Sequence, residues 1–207
     1  NKMGAIDNFN RAVPKAVANA DLVIVNTPFG SVEGLYAQLG PELKPGAVVL
    51  DTSVLKQPVI GYAEEFFPSD GQGGLRAYLI GITPVISAAA LYAGELEVEG
   101  GRADLFDGAE VILTPDLRTP SEAIQLAEDV VGLLGGKLHF MDPAEHDGLI
   151  AATETLPTLV GAALFYTLSR SEGWSELRRM VNPTLALAMQ SLREREQADL
   201  DGPLLAN

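Results

Sequence analysis

The chain has 207 residues and a net charge of -14, with a pI near 4.4. This acidic balance argues against nucleic acid as a partner, because phosphate binding needs clustered Lys and Arg. Hydrophobic residues make up 47% of the chain, enough for a buried core, and no uninterrupted apolar run is long enough to predict a membrane span. The absence of cysteine excludes thiolate nucleophiles, disulfides and Cys-ligated zinc, and it fits the cytoplasm.

Short segments rich in β-branched residues alternate with helical segments in the first two thirds of the chain. Strands are predicted at residues 21–27, 47–51, 77–82, 110–113 and 137–141. One helix is predicted at residues 31–39. Another begins at a capping box of Thr119 and Glu122, with Pro120 at the first helical position, and ends at Gly135-Gly136. Near-continuous apolar strands that alternate with helices predict a mostly parallel sheet.

Helical periodicity alone continues after residue 141, to about residue 197. Asp142 is predicted to begin this part as a second helix cap, and Pro157 to kink the first helix. Gly173 and Pro183 should divide the remainder into shorter helices. We therefore predict a domain boundary near residue 142, with an α/β domain at 1–142 and a helical domain at 143–207.

Loose connections are predicted at residues 68–74 and at Gly100-Gly101. The chain opens with Met3-Gly-Ala-Ile-Asp7, which would ordinarily lie some way into an α/β domain of this kind. We therefore expect a strand, a glycine-rich turn and a helix to precede it. The last residues, 205–207, resemble a cut through a helix.

Hydroxyl-bearing residues, most of them beside proline, recur where the predicted strands end. They are Asn26-Thr27-Pro28, Asp51-Thr52-Ser53, Thr83-Pro84 and Thr114-Pro115. Ligands of open parallel sheets bind beyond the carboxyl ends of the strands, so one interpretation is a shared binding cleft. The other is strand termination alone, because proline ends a strand. Termination is favoured for Thr114-Pro115, and both interpretations stay open for the other three.

Two histidines are candidates for a general base near neutral pH. His139 lies in a predicted strand, where a hydrogen-bonded core or edge histidine is the favoured interpretation. His146 follows Glu145 in the first turn of a predicted helix, where a hydrogen-bonding role at the helix start is favoured over catalysis. No spacing of His, Asp and Glu predicts a metal site, and no serine stands in a nucleophile-elbow motif.

Several of these segments together resemble the prephenate and arogenate dehydrogenase family. In the first domain they are residues 20–28, residues 39–52 with Lys56, and residues 105–108 leading into 112–115. In the second they are Glu145-His146-Asp147 and Leu156-Pro157, whose spacing is the most specific part. The resemblance covers nearly the whole chain. It implies an α/β, Rossmann-like, mostly parallel sheet followed by an all-helical C-terminal domain.

The resemblance also implies a reaction. Members of the family oxidise a cyclohexadienol to a ketone with NAD or NADP, and loss of carbon dioxide then gives an aromatic ring on the route to tyrosine. Thr83 stands where the family has a basic histidine within Gly-Gly-His-Pro. Thr155 and Thr158 match the two histidines of the family's Ser-His-Leu-Pro-His motif. Val54 matches a serine, and Arg179 matches an arginine that binds a substrate carboxylate.

These matches give each site residue an expected role. Lining of the cofactor, NAD or NADP, is expected of Thr27, Pro28, Asp51, Thr52 and Ser53. Thr83 and Thr155 are expected to face the substrate as the catalytic pair, and Arg179 and Thr158 to bind it. We expect no metal and no membrane, a small carboxylate as substrate, and a homodimer formed through the helical domain. The alternatives for its apolar helices are packing against a C-terminal segment beyond this chain, or on the dinucleotide-binding domain.

An alternative interpretation is a catalytically silent dinucleotide-binding protein with a regulatory or partner-binding role. Threonine cannot replace imidazole as a base, and general-base catalysis contributes typically roughly 10²–10⁴-fold. The preference between NAD and NADP is not readable from this chain, since the residue that contacts the ribose is expected near a strand that precedes it.

Overall fold

The computed structural model describes residues 6–69, 75–86, 104–189 and 192. The chain divides into two compact units, Asn1–His146 and Asp147–Asn207. The first ends shortly after the predicted boundary at residue 142, and the assignment of two functional domains stays a prediction. The predicted turn at Gly100-Gly101, most of the connection at 68–74, the segment at Met3 and the end at 205–207 lie outside the described residues.

A five-stranded sheet forms the centre of the first unit, in the order β1-β2-β3-β4-β5. The strands are β1 Leu22–Val25, β2 Val48–Asp51, β3 Tyr78–Val85, β4 Glu110–Pro115 and β5 Lys137–Phe140. β1, β2 and β3 are parallel, β4 is antiparallel to β3, and β5 is parallel to β4. The five predicted strands and the mostly parallel sheet are therefore confirmed.

Helices cover both faces of this sheet. In the first unit they are α1 Val13–Val17, α2 Val32–Leu39, α3 Gln57–Phe66 and α4 Ser121–Leu133, followed by α5 Pro143–Ile150, which runs into the second unit. One face packs on α2 and α3, and its buried residues include Val25, Val32, Tyr36, Val49, Val59 and Leu79. The other packs on α4, with Leu50, Ile80, Ile82, Leu113, Ala127 and Val131. Two buried faces explain why the strands are apolar without alternation.

The predicted start of α4 is wrong in its detail. The helix begins at Ser121, and Pro120, in an extended conformation (φ -63°, ψ 151°), is its N-cap without a side-chain hydrogen bond. Thr119 instead closes a turn, since its N–H donates to the Asp116 carbonyl at 3.0 Å. Pro120 thus occupies the N-cap position predicted for Thr119, and proline has no side-chain group that could cap the helix. At the other end Gly135 has φ +73°, which suits the predicted glycine stop.

The predicted cap at Asp142 is confirmed. Its Oδ1 accepts hydrogen bonds from the N–H groups of Ala144 at 2.8 Å and Glu145 at 3.3 Å. These N–H groups have no partner within the helix, so the aspartate satisfies them and also suits the positive end of the helix. The cap fixes where α5 begins and therefore where His146 lies.

The second unit is helical in the part that the structure describes. A π-helical turn, Ala151–Thr155, leads into α6 Leu156–Ser169, followed by α7 Trp174–Leu177 and α8 Pro183–Ala188. The interruption predicted at Pro157 takes the form of this wide turn, because proline lacks the N–H and its ring needs room beside the preceding turn. Gly173 and Asn182 are the N-caps of α7 and α8, so the breaks predicted at Gly173 and Pro183 are confirmed.

The helical run Pro143–Ser169 is long and apolar enough, by length and composition, to cross a membrane, with a mean hydropathy of 1.4. An inspection of uninterrupted apolar runs misses it, because polar residues such as Thr153 and Glu154 interrupt the sequence. Length and composition are the only grounds for considering a membrane span here, and a helix that packs against protein passes the same test.

Candidate active site

The carboxyl ends of β1, β2 and β3 meet at one edge of the sheet. The register pairs Val25 with Asp51 and Asp51 with Gly81, so the three parallel strands reach this edge together. Thr27 and Thr52 follow the ends of β1 and β2, and both are half-buried. Thr83 lies on β3, two residues beyond Gly81, and is also half-buried. We call this the carboxyl edge.

Hydrogen bonds join the ends of β1 and β2 at the carboxyl edge. Thr52 Oγ1 donates to Asn26 Oδ1 at 2.9 Å and lies 3.2 Å from the Val25 carbonyl, which also accepts the Thr52 N–H at 3.0 Å. Pro28 is exposed immediately after this junction. The two strand ends are therefore held in a fixed relation, which suits a surface that binds a ligand.

Thr114-Pro115 ends a strand that runs in the opposite direction, although Thr114 itself lies beside Gly81. β4 is antiparallel to β3, and its register pairs Thr114 with Gly81 and Pro115 with Ile80. β4 therefore ends pointing away from the carboxyl edge. This geometry favours strand termination for Thr114-Pro115, the interpretation that the sequence also favoured.

Asp51 lies at the carboxyl edge but is buried, with 1% of its surface exposed. Its Oδ2 accepts a hydrogen bond from the Tyr36 hydroxyl at 2.8 Å, and its Oδ1 accepts one from the Ser53 N–H at 2.7 Å. Burial raises the pKa of Tyr36 strongly, and the charge of Asp51 and the hydrogen bond to it raise it further. Both carboxylate oxygens are thus engaged by the protein itself.

Ser53 is buried beside Asp51. Among the residues that the structure describes, its Oγ and that of Thr114 are buried side-chain atoms with no hydrogen-bond partner. A buried hydroxyl without a partner is costly unless a ligand or an ordered water completes it. The Ser53 Oγ lies within the fold and not on the surface of the carboxyl edge, so a cofactor contact from this hydroxyl stays a prediction.

Lys56 connects β2 to β3 from within the fold, with 2% of its surface exposed. Its Nζ donates to the backbone carbonyls of Ser53 at 2.7 Å, Asp51 at 3.1 Å and Ile82 at 3.2 Å. A Cβ at Gly81 would approach Lys56 Cδ to 2.7 Å and Thr114 Oγ1 to 2.2 Å. The glycine is therefore required for the lysine stem to cross β3.

Thr83 is hydrogen-bonded to His146. The Thr83 Oγ1 and the His146 Nε2 lie 2.9 Å apart, and His146 is fully buried in the first turn of α5, with 0% of its surface exposed. Sequence reasoning did predict a hydrogen-bonding role for His146, but at the helix start rather than on β3. It missed His146 as part of the site, although Glu145-His146-Asp147 was the signal that could have found it.

His139 lies on the edge strand β5, is exposed, and contacts Glu110 through Nε2. This fits the favoured edge interpretation. The hydrogen bond from His139 is the main cause that lowers the pKa of Glu110. Over residues 6–69, 75–86 and 104–189, no group of three or more His, Asp or Glu could hold a metal ion.

The other predicted site residues lie in the second unit, described by itself. Thr158 is buried, and its Oγ1 donates to the Glu154 carbonyl at 2.7 Å. Thr155 is half-buried at the end of the π-helical turn, and Arg179 is exposed after α7. The roles expected of these three residues stay predictions.

Two cavities in the described part of the first unit are lined by residues outside the carboxyl edge. One of about 140 Å³ is lined by Glu64, Tyr78 and Arg118, among others. A wider one of about 760 Å³ is lined by Asp116, Phe140 and others. Thr27, Thr52 and Thr83 line neither of them. The candidate site is therefore defined by the polar groups of the carboxyl edge and not by either of these cavities.

Comparison with known proteins decides the family. Residues 1–140 match the sequence model of the prephenate dehydrogenase nucleotide-binding domain. The chain belongs to the prephenate dehydrogenase family. This confirms the resemblance and the predicted cofactor class, a nicotinamide dinucleotide. The half-buried Thr27 and Thr52 are polar groups that fit such a cofactor at the carboxyl edge.

Curated relatives and solved structures agree with this assignment. The chain is 27% identical over 201 residues to the cyclohexadienyl dehydrogenase of Zymomonas mobilis, and 29% over 174 residues to the prephenate dehydrogenase of Bacillus subtilis. These alignments cover 96% and 83% of the chain, but 62% and 43% of the relatives' lengths.

The fold matches two solved structures at low sequence identity. One is prephenate dehydrogenase from A. aeolicus, in complex with hydroxyphenyl propionate and NAD+, at a TM-score of 0.79 and 23% identity, covering 99% of this chain and 68% of that one. The other is Synechocystis arogenate dehydrogenase, at a TM-score of 0.69 and 20% identity, covering 95% and 68%. The predicted Rossmann-like fold is confirmed.

Proposed function

We propose that this chain belongs to an NAD- or NADP-dependent dehydrogenase that oxidises the ring hydroxyl of a small cyclohexadienol carboxylate of the prephenate or arogenate type. Oxidation to the ketone, with loss of carbon dioxide, then gives an aromatic product. The observation that carries this proposal is the carboxyl edge, where parallel strands bring Thr27, Thr52 and Thr83 together.

The cofactor would lie along the ends of β1 and β2. Thr27, Pro28 and Thr52 offer polar and apolar surface at the correct edge, and Ser53, buried beside Asp51, is assigned to the cofactor by the resemblance. Asp51 would act indirectly, because its oxygens already hold Tyr36 and the backbone of Ser53. The cofactor, when bound, supplies the nicotinamide ring that accepts a hydride.

The substrate would lie beyond β3, within reach of Thr83. A threonine hydroxyl can hold the reacting hydroxyl by a hydrogen bond. In the helical unit, taken by itself, substrate contacts are proposed for Thr155 and Thr158 from the resemblance alone. Arg179 would bind the substrate carboxylate, because a guanidinium matches a carboxylate with two parallel hydrogen bonds. The ligand in the A. aeolicus complex, hydroxyphenyl propionate, is an aromatic carboxylate of this general class.

The second candidate function is a silent dinucleotide-binding protein with a regulatory role. It is favoured by Thr83 at the position of the family's basic histidine, and by Val54 at the position of a serine. Both functions predict cofactor binding, and they differ in whether the bound cofactor is reduced.

A spectrophotometric assay separates the two. Full-length protein is mixed with NAD+ or NADP+, prephenate or arogenate is added, and the absorbance of the reduced cofactor is followed. Reduction supports the dehydrogenase. Cofactor binding by calorimetry without reduction supports the silent protein, and absence of binding contradicts both.

The proposal also includes a subunit interface and a location in the cytoplasm. Several large apolar side chains of the helical unit are exposed: Leu156, Leu159, Val160, Phe165 and Tyr166. A helix that exposes large apolar side chains is typical of a subunit interface, so we assign these side chains to a homodimer in the cytoplasm, in preference to a membrane.

A further inference from the structure

The contact between Thr83 and His146 places a titratable ring behind the residue that replaces the family base. Thr83 Oγ1 lies 2.9 Å from His146 Nε2, within normal hydrogen-bond range. Thr83 is half-buried, whereas His146 is fully buried. A ligand at the carboxyl edge could therefore contact the threonine, but it could not contact the imidazole.

A threonine hydroxyl is both a donor and an acceptor of hydrogen bonds. When its proton is donated to His146 Nε2, the oxygen keeps lone pairs for a second hydrogen bond from outside. The same oxygen can then receive a proton on one side as it releases one on the other. A threonine hydroxyl hardly titrates by itself, whereas an imidazole titrates near neutral pH. Together, the hydroxyl can take up a proton from a ligand, and the buried imidazole can hold the proton that the hydroxyl releases.

We infer that Thr83 and His146 form a proton relay that takes the place of the missing histidine. This inference rests on the proposed function. In the step, the substrate hydroxyl gives its proton to Thr83 Oγ1 while Thr83 gives its own proton to His146 Nε2. The hydride on the same carbon leaves to the nicotinamide of NAD+ or NADP+, and the C–O bond becomes a carbonyl. The imidazolium later returns its proton through Thr83 as the product leaves.

The backbone holds the two members of the relay independently of any ligand. Thr83 is fixed by its strand pairing with Ile112 on β4. His146 is fixed by the start of α5, where its N–H donates to the Asp142 carbonyl at 2.9 Å and Asp142 Oδ1 caps the same turn. His146 is thus a positioning and proton-accepting residue that acts through Thr83.

The direction of the hydrogen bond provides the sharpest test. The relay requires that Thr83 donates to Nε2, so Nε2 must carry no hydrogen in the resting protein. A long-range ¹H–¹⁵N correlation spectrum of the imidazole rings reports this tautomer. The sequence has two histidines, so the exposed His139 serves as an internal reference.

We expect the spectrum to show Nε2 of His146 as an unprotonated acceptor. Thr83→Val should shift this resonance, Thr83→Ser should restore it, and His139 should stay unchanged in both variants. A protonated Nε2 in the wild-type protein would mean that His146 donates to Thr83. That result overturns the relay, because a nitrogen that already bears hydrogen cannot accept the threonine proton.

Kinetics provide the second arm. Thr83→Val keeps the shape of the side chain without its hydroxyl, and we expect kcat to fall by about 100-fold or more with little change in KM. Thr83→Ser should recover most of that loss, and His146→Gln should lower kcat to a similar extent. His139→Gln, on the exposed edge strand, is the matched control and should leave kcat unchanged.

Equal kcat values for Thr83→Val and Thr83→Ser would also overturn the relay. The Thr83 pair keeps this test valid even where His146→Gln fails to fold. Failure of the wild-type protein to bind NAD+ or NADP+ would contradict the proposed function instead. The tautomer of His146 would still be read from the spectrum, so the two failures are distinguishable.

Discussion

At the scale of single residues, the carboxyl edge depends on polar groups that are satisfied from within the protein. The Tyr36 hydroxyl donates to Asp51, and Lys56 donates to three backbone carbonyls. The sequence predicted Asp51 as a cofactor residue because aspartate follows a strand there. Its partner Tyr36 lies 15 residues away on α2, so no local pattern could reveal that the carboxylate is already engaged.

Removal of the Tyr36 hydroxyl tests this arrangement through pH. The raised pKa of Tyr36 stabilises the fold fully below its ordinary value of 10.0, and this contribution is lost as the pH rises above that value, since the unfolded chain ionises first. We expect Tyr36→Phe to cost about 1–3 kcal/mol in unfolding free energy at neutral pH, because Asp51 loses a partner.

Above pH 10 the difference between wild type and Tyr36→Phe should narrow, by at most about 1.4 kcal/mol per pH unit. Urea unfolding of both proteins from pH 7 to 11 measures this difference in unfolding free energy. Tyr166→Phe, at an exposed tyrosine, is the control and should cost less than about 0.5 kcal/mol. A constant difference between wild type and Tyr36→Phe across this range would contradict the account.

Replacement of Lys56 tests the junction between β2 and β3. Lys56→Met keeps the apolar stem and removes the donor, which leaves the carbonyls of Asp51, Ser53 and Ile82 without it. We expect a loss of about 2–4 kcal/mol in urea unfolding, since buried acceptors that lose their donor are costly. Lys44→Met removes a partly exposed ion pair with Asp21 and should cost less than about 1 kcal/mol. Equal losses in the two variants would count against a special role for Lys56.

At the scale of secondary structure elements, the strands were predictable because two-sided burial makes them continuously apolar. The direction of each strand was harder to predict than its position. β4 runs antiparallel to β3, and an apolar run such as residues 111–113 reads the same in either direction. For that reason the sequence alone could favour strand termination for Thr114-Pro115 but could not show the direction in which β4 ends. Pairing partners, which no local pattern reveals, decide on which edge a strand ends.

Gly81 leaves room for the Lys56 side chain to cross β3, because glycine has no side chain at this position. We expect Gly81→Ala to cost about 1–3 kcal/mol through overpacking, since its Cβ would come within 2.2 Å of Thr114 Oγ1. Gly34→Ala is the matched control: Gly34 is exposed in α2, with nothing within 4 Å of its Cβ position. It should stabilise by up to about 1 kcal/mol. Thermal or urea unfolding gives both values, and a Gly81→Ala protein as stable as wild type would be the contrary result.

At the scale of the whole molecule, the order of strands and helices was enough to predict the sheet, and the resemblance of several segments was enough to predict the family. The partners of buried polar side chains could not be predicted from either. Thr83 and His146 are 63 residues apart in sequence. They meet because β3 lies inside the sheet and α5 starts immediately after β5. A contact of this kind follows from topology, so a motif match at each residue alone could not predict it.

Self-association is the prediction for the exposed apolar side chains of α6. We expect sedimentation equilibrium to give twice the monomer mass for the full-length protein. Val160→Glu should shift it towards monomer, because it places a charge at an exposed apolar position. Gln125→Glu, on the exposed side of α4, should leave the mass unchanged. A monomeric wild type, or binding of the wild type to phospholipid vesicles in place of dimerisation, would contradict the proposal.

The most direct test of the dinucleotide site is a calorimetric titration of NAD+ and of NADP+ into the full-length protein. The account predicts saturable binding of at least one of them. Thr27→Trp, which fills the carboxyl edge after β1, should weaken this binding at least about tenfold by steric exclusion. Gln125→Trp, on α4, should leave it unchanged. Wild-type protein that binds neither cofactor, or Thr27→Trp that binds as tightly as wild type, would contradict a cofactor site at this edge.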